Sequence, residues 1–140
     1  MSGNDLANIG AIDDVATVYL YHPLTDEMLM DDEGNPMWIS VYGMDSSRYR
    51  QVTHEQQNRR IQTAQRSGGK PSLTAEQLES ASMDLLVKCT ADWNLFVNNE
   101  KPECNEKKAR ELYTEFPWIK DQVDMFMHDR KNFLANSSGS

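Results

Sequence analysis

Apolar and polar positions repeat with two different periods along this chain, and the change of period divides it. Ala16-Thr17-Val18-Tyr19-Leu20-Tyr21 is rich in β-branched and aromatic residues and predicts a strand. His22-Pro23-Leu24-Thr25-Asp26 stops it, and Glu27-Met28-Leu29-Met30 predicts a short second strand. Asp31-Asp32-Glu33-Gly34-Asn35-Pro36 has turn composition. Met37-Trp38-Ile39-Ser40-Val41-Tyr42 is the clearest strand, with Trp38, Ser40 and Tyr42 on one face and Met37, Ile39 and Val41 on the other. These segments make a small antiparallel hairpin or meander over residues 16–43, and it needs a cover on one side to be stable.

Beyond Gly43 the period lengthens to that of a helix. Asp45, Ser46 or Ser47 can cap a helix over 47–66 whose stripe of Tyr49, Val52, Gln56, Ile61 and Ala64 is thin and whose remainder is very polar. Such a helix packs by a narrow face or stands partly free of the body. Ser67-Gly68-Gly69-Lys70-Pro71-Ser72 reads as a hinge. Thr74 and Gln77 form a capping box for a helix over 74–93, with Leu78, Ala81, Leu85, Leu86, Cys89 and Trp93 at helical spacing. A loop over 94–103 precedes a short helix over 106–115 capped by Asn105, with Ala109, Leu112 and Tyr113 facing inward. Pro117 starts the last helix, read as 117–134, on an apolar face of Ile119, Gln122, Val123, Phe126, Arg130 and Phe133. The fold class is therefore α+β: a flexible arm over 1–14, one domain over 15–134 with four helices after the sheet, and a disordered tail over 135–140.

Length and composition fit this picture. A chain of 140 residues suits one domain with a modest core. No run of eighteen apolar residues spans a membrane and no secretory signal is read, so an intracellular setting with Cys89 and Cys104 reduced is the expectation. The net charge of −8 is uneven. Residues 1–45 hold nine acids and no Lys or Arg, whereas 46–70 hold six bases (Arg48, Arg50, Arg59, Arg60, Arg66, Lys70) against Glu55 alone. An acidic chain is a poor general binder of nucleic acid. The basic helix, with Arg48, Arg59, Arg60 and Arg66, is read as pairing with the acidic 1–45 region or meeting an acidic partner; a duplex-binding role ranks well below these, because no helix-turn-helix pattern surrounds it.

Catalytic chemistry finds no convergent set. His22, His54 and His128 lie far apart, the two cysteines lack a metal-like spacing, and Gly68-Gly69-Lys70 lacks the preceding strand and first glycine of a phosphate loop. No nucleophile elbow is present, and the acid pairs Asp13-Asp14 and Asp31-Asp32 are explained by solvation, with a weak cation site in the 31–35 turn left open. No enzyme, no cofactor and no metal is expected.

Two blocks carry a family resemblance. One runs from His22-Pro23-Leu24-Thr25-Asp26 through Trp38-Ile39-Ser40-Val41-Tyr42-Gly43-Met44-Asp45-Ser46-Ser47-Arg48-Tyr49-Arg50. The other joins Asp84-Leu85-Leu86-Val87-Lys88-Cys89-Thr90-Ala91-Asp92-Trp93, Ala109-Arg110-Glu111-Leu112-Tyr113, Pro117-Trp118-Ile119-Lys120-Asp121-Gln122-Val123 and Asp129-Arg130-Lys131-Asn132-Phe133. In their order these resemble the small α+β tail assembly chaperones of long-tailed bacteriophages. The resemblance implies a non-enzymatic factor of the host cytoplasm, absent from the mature virion, that binds the aggregation-prone tape measure protein before the tail tube forms. It also implies contact with the tail tube protein through a longer frameshifted form, and self-association is left open. The rival reading is a structural tail or connector component of the virion. Eight methionines, and above all Trp93, Phe96, Trp118, Met125, Phe126 and Met127, are the candidates for an adaptable partner-binding surface. A closed core is the competing assignment for these side chains, strongest for Trp93.

Overall fold

The computed structural model describes residues 3–68 and 73–134. The chain orders as α1 (Leu6–Ile9), β1 (Val15–Tyr19), β2 (Trp38–Tyr42), α2 (Ser47–Ser67), α3 (Ala75–Cys89), β3 (Thr90–Asn94), α4 (Glu106–Glu115), α5 (Pro117–Met127) and a 3-10 turn at Arg130–Phe133. The α+β class holds. The sheet is antiparallel throughout, in the order β1-β2-β3, with Tyr19 opposite Trp38 and Trp38 opposite Asn94. The 74–93 helix of the sequence reading is thus two elements. Helix and strand compete here because Trp93 comes four residues after Cys89 yet also sits opposite Ile39 on the sheet. Thr90 makes the break: its hydroxyl donates back to the Leu86 carbonyl at 2.8 Å and meets the Tyr113 hydroxyl at 2.7 Å.

The strand expected over 27–30 is reduced to isolated bridges, Tyr21 with Met28 and Met30 with Pro36. His22 Nδ1 accepts the amides of Leu24 and Thr25, curling the chain straight after β1. The described part of the arm expected over 1–14 is tied to the body at several points. Asp5 caps the single turn of α1, Ile12 packs against the core, and Asp13 N–H donates to the Phe133 carbonyl at 2.7 Å.

One sheet face carries the core. Val18, Ile39 and Trp93, with Leu20 and Val41, meet Leu86, Val87 and Cys89 of α3, Leu112 and Tyr113 of α4, and Ile119, Val123 and Met127 of α5. The last helix is shorter than the 117–134 expected. The His128 ring bonds back to the Asp124 carbonyl, Asp129 caps the next turn through Lys131 N–H, and the chain swings so that Phe133 enters the core. The buried line is Ile119, Val123 and Met127, at four-residue steps, rather than the expected line through Phe126 and Arg130. The disordered tail expected over 135–140 and most of the hinge over 67–72 lie outside the described residues.

Candidate functional site

Helix α2 begins on the body and leaves it. Ser46 caps it by accepting from Tyr49 N–H, Val52 is fully buried, and the Tyr49 hydroxyl meets His128 Nε2 at 3.1 Å. From residue 57 to 68, every side chain is exposed or half-buried except Ala64. Helix α3 mirrors this. Its capping box is formed as expected, residues 75–80 are exposed, and burial starts only at Leu86. The apolar stripe of α2 is too thin to hold all of its turns against a core, so both outcomes left open for it occur together, whereas Leu78 of α3, expected on that helix's apolar face, is exposed. Helix 47–66 therefore both packs and projects.

Between the projecting halves lies an open cleft of about 610 Å³. Ala64 and Ala81 are small enough to line its floor, and Gln56 Nε2 ties the helices at its inner end by donating to the Ala81 carbonyl at 2.9 Å. Arg59 and Arg60 of α2 and Arg110 of α4 supply three guanidinium groups, and Asp84 is the one carboxylate in the lining among the described residues. Asp84 is held at 2.9 Å from Arg110, 3.3 Å from Lys88 and 4.0 Å from Arg59. Partial burial alone would raise its pKa, but the hydrogen bonds from Lys88 and Arg110 outweigh this and hold it below the usual carboxylate value. The cleft is thus a cationic concavity on a chain of net charge −8.

The four arginines of the sequence reading divide. Arg48 is held at the body, with Nε donating to the Lys88 carbonyl at 3.0 Å and Nη2 4.0 Å from Glu106. Arg59 and Arg60 line the cleft, whereas Arg66, in the last turn, does not. The expected pairing with residues 1–45 survives only in part: Arg50 Nη2 donates to the Asp45 carbonyl at 3.4 Å, while Arg48 and Arg59 turn to Glu106 and Asp84. The Asp45 carboxylate takes Arg130, at 2.6 Å and 3.0 Å. Arg110 and Asp84 escaped sequence reading as cleft residues, since only tertiary packing sets them beside α2.

The apolar candidates also divide. Met127 is fully buried and Trp93 is 8% exposed, its indole N–H donating to the Pro102 carbonyl at 2.8 Å, so both belong to the core and neither can face a partner. Phe96, Trp118 and Phe126 are half-buried. Trp118 stands edge-on to Phe116, and Phe126 lies 5.8 Å from Phe133 between ring centres. Met125 alone of the six is largely exposed, at 76%. The six therefore form no single surface.

The 31–35 turn, left open as a cation site, holds its own cation. Lys101 Nζ lies 2.8 Å from Glu33, 3.3 Å from Asp31 and 3.9 Å from Asp32. The amides of Glu33 and Asn35 and the Asn94 side chain donate to the Asp31 carboxylate. These bonds, the Asn35 amide foremost, lower its pKa from 3.8 to about 2. The folded value lies below the unfolded one, so the stabilisation is complete above pH 3.8 and is lost as pH falls towards 2. Urea midpoints of the wild type should therefore drop over that window more than those of Asp31→Asn, and parallel curves would contradict this role.

Both cysteines are free thiols, and burial pushes each up to about 11. Neither has the depressed pKa of a reactive thiol. No group of three or more His, Cys, Asp or Glu able to hold a metal ion occurs among the described residues. Among the same residues no helix is long and apolar enough to cross a membrane. Compared with known proteins, the chain matches no family model, no curated protein and no solved structure.

Proposed function

We propose that this chain is a non-enzymatic tail assembly chaperone of a long-tailed phage, which binds the tape measure protein in the host cytoplasm and is released before the virion matures. The observation that supports the reading best is the cationic cleft between the projecting halves of α2 and α3. An open groove between two helices suits a third helix, and helix-in-groove docking is a recurrent way to hold a long amphipathic partner. Ala64 and Ala81 let a backbone approach closely, while Arg59, Arg60 and Arg110 select acidic side chains on the incoming segment. Covering the small apolar part of the cleft lining at ~25 cal/mol per Å² supplies only about 2 kcal/mol before ordering costs. The contact is then held by many weak terms, as release during assembly requires. Exposed Met125 is a second adaptable contact point. A longer frameshifted product would be the route to the tail tube protein.

Quantitative mass spectrometry of infected cells and purified virions tests the reading. The chain is expected in the lysate and absent from the particle. A fixed stoichiometric copy number in the particle would overturn it in favour of a structural tail component.

A further inference from the structure

The outer edge of β1 is built differently from the outer edge of β3. The ladder bonds set its phase: Leu20 N–H donates to the Met37 carbonyl and Gly43 N–H donates to the Asp14 carbonyl. Even-numbered residues therefore bond towards β2, and the main-chain groups of odd-numbered residues point outward. At one end of this outer edge, Asp13 N–H is taken by the Phe133 carbonyl at 2.7 Å. At the other, the Gln122 side-chain amide acts as a strand partner for Tyr21, accepting from its N–H at 3.0 Å and donating to its carbonyl at 2.8 Å. Between these two clamps the outward N–H and C=O groups of Val15, Thr17 and Tyr19 have no partner among the described residues.

Edge strands are normally protected by charge, proline, a bulge or a cover. The opposite margin obeys this rule, since Trp93 N–H in β3 is taken by the Asp92 carboxylate at 2.9 Å. Between its two clamps, β1 has none of these devices among the described residues. Its sequence, Val15-Ala16-Thr17-Val18-Tyr19, is uncharged and strongly strand-forming, and its pairing with β2 runs without a bulge. Val15 and Tyr19 are 38% and 46% exposed.

We propose that β1 pairs with β1 of a second copy of this chain, antiparallel and centred on Thr17, to form a two-fold dimer with a continuous six-stranded sheet. Self-complementarity selects the occupant. With Thr17 opposite its own copy, Val15 lies opposite Tyr19 twice, so the two exposed apolar residues cover each other. The one donor and one acceptor at each of the three positions all find partners. Charge sets the direction. A parallel pair would lay Asp13 and Asp14 beside the same residues of the partner, whereas the antiparallel pair sends the two acidic ends to opposite sides of the dimer.

Sedimentation equilibrium of the full chain, with amide hydrogen exchange of the same wild-type protein at low and high concentration, tests this without any substitution. The expected result is twice the 16.0 kDa chain mass, with exchange of Val15, Thr17 and Tyr19 slowing as concentration rises. A chain monomeric to millimolar concentration overturns the proposal, as does a dimer that leaves those three amides unprotected. Two variants test the register. Thr17→Lys and Thr17→Glu each place like charges directly opposite and should weaken self-association roughly five- to thirtyfold, while an equimolar mixture restores the dimer. Both variants lose the 2.7 Å contact between the Thr17 and Ser40 hydroxyls, so that loss cannot account for the rescue. Failure of the mixture to associate, with both variants folded by circular dichroism, overturns the Thr17-centred pairing. None of these outcomes depends on binding to the tape measure protein.

Discussion

Replacing Phe133 with Ala is expected to lower the free energy of unfolding by about 3–5 kcal/mol, among the largest effects of a single substitution in this chain. Phe133 is 2% exposed and closes the core from the C-terminal side. Its ring lies so close over Gly43 that a Cβ built there would sit 2.9 Å from two ring carbons. A side chain packed onto bare backbone has a rigid neighbour, so the cavity left by truncation cannot collapse, and the cost falls at the high end of such changes. The ring also meets Phe126, and the residue's carbonyl takes Asp13 N–H, so loosening this segment frees the N-terminal arm at the same time. Urea titration measures the effect, with Met125→Ala as the control. Met125 is 76% exposed, and its truncation should change stability by no more than about 0.5 kcal/mol. Equal midpoints for the two variants would contradict the assigned core.

Reversing the cleft charge, with Arg59→Glu and Arg60→Glu together, is expected to weaken binding of the proposed partner by about ten- to a hundredfold, mainly at low ionic strength. The fold should survive. The Arg59 side chain is 62% exposed and its pair with Asp84 spans 4.0 Å, a geometry that contributes little to stability. Added salt should weaken wild-type binding, while the double variant, having lost the attraction, should respond less. Titration calorimetry at two salt concentrations reads both effects. Unchanged affinity in the folded variant would remove the cleft as the binding surface.

Local signals in the sequence are reliable where the chemistry is local. The Thr74 and Gln77 capping box, the Asn105 cap and Pro117 in the first turn of α5 all stand where composition places them, because each satisfies orphan amides or spares a lost one within a few residues. The ambiguous positions are those that depend on distant partners. Trp93 satisfies both helical and strand spacing, and only Ile39 across the sheet decides between them. Met127 lies off the stripe expected of a helix running to 134, and the structure buries it on the line of Ile119 and Val123 at four-residue steps. The basic helix is visible in the sequence, but a cleft needs Asp84 and Arg110 beside it, and those come from α3 and α4. The open edge of β1 is hidden for the same reason: composition marks a strand, whereas an unfilled margin is a property of the assembled sheet.

The most direct test of the chaperone reading is co-expression of this chain, tagged, with the tape measure protein encoded beside it, and then purification through the tag. A soluble complex of fixed stoichiometry, lost when Arg59 and Arg60 are reversed, is the predicted result. A tape measure protein that stays insoluble and unbound while this chain is recovered folded would contradict it.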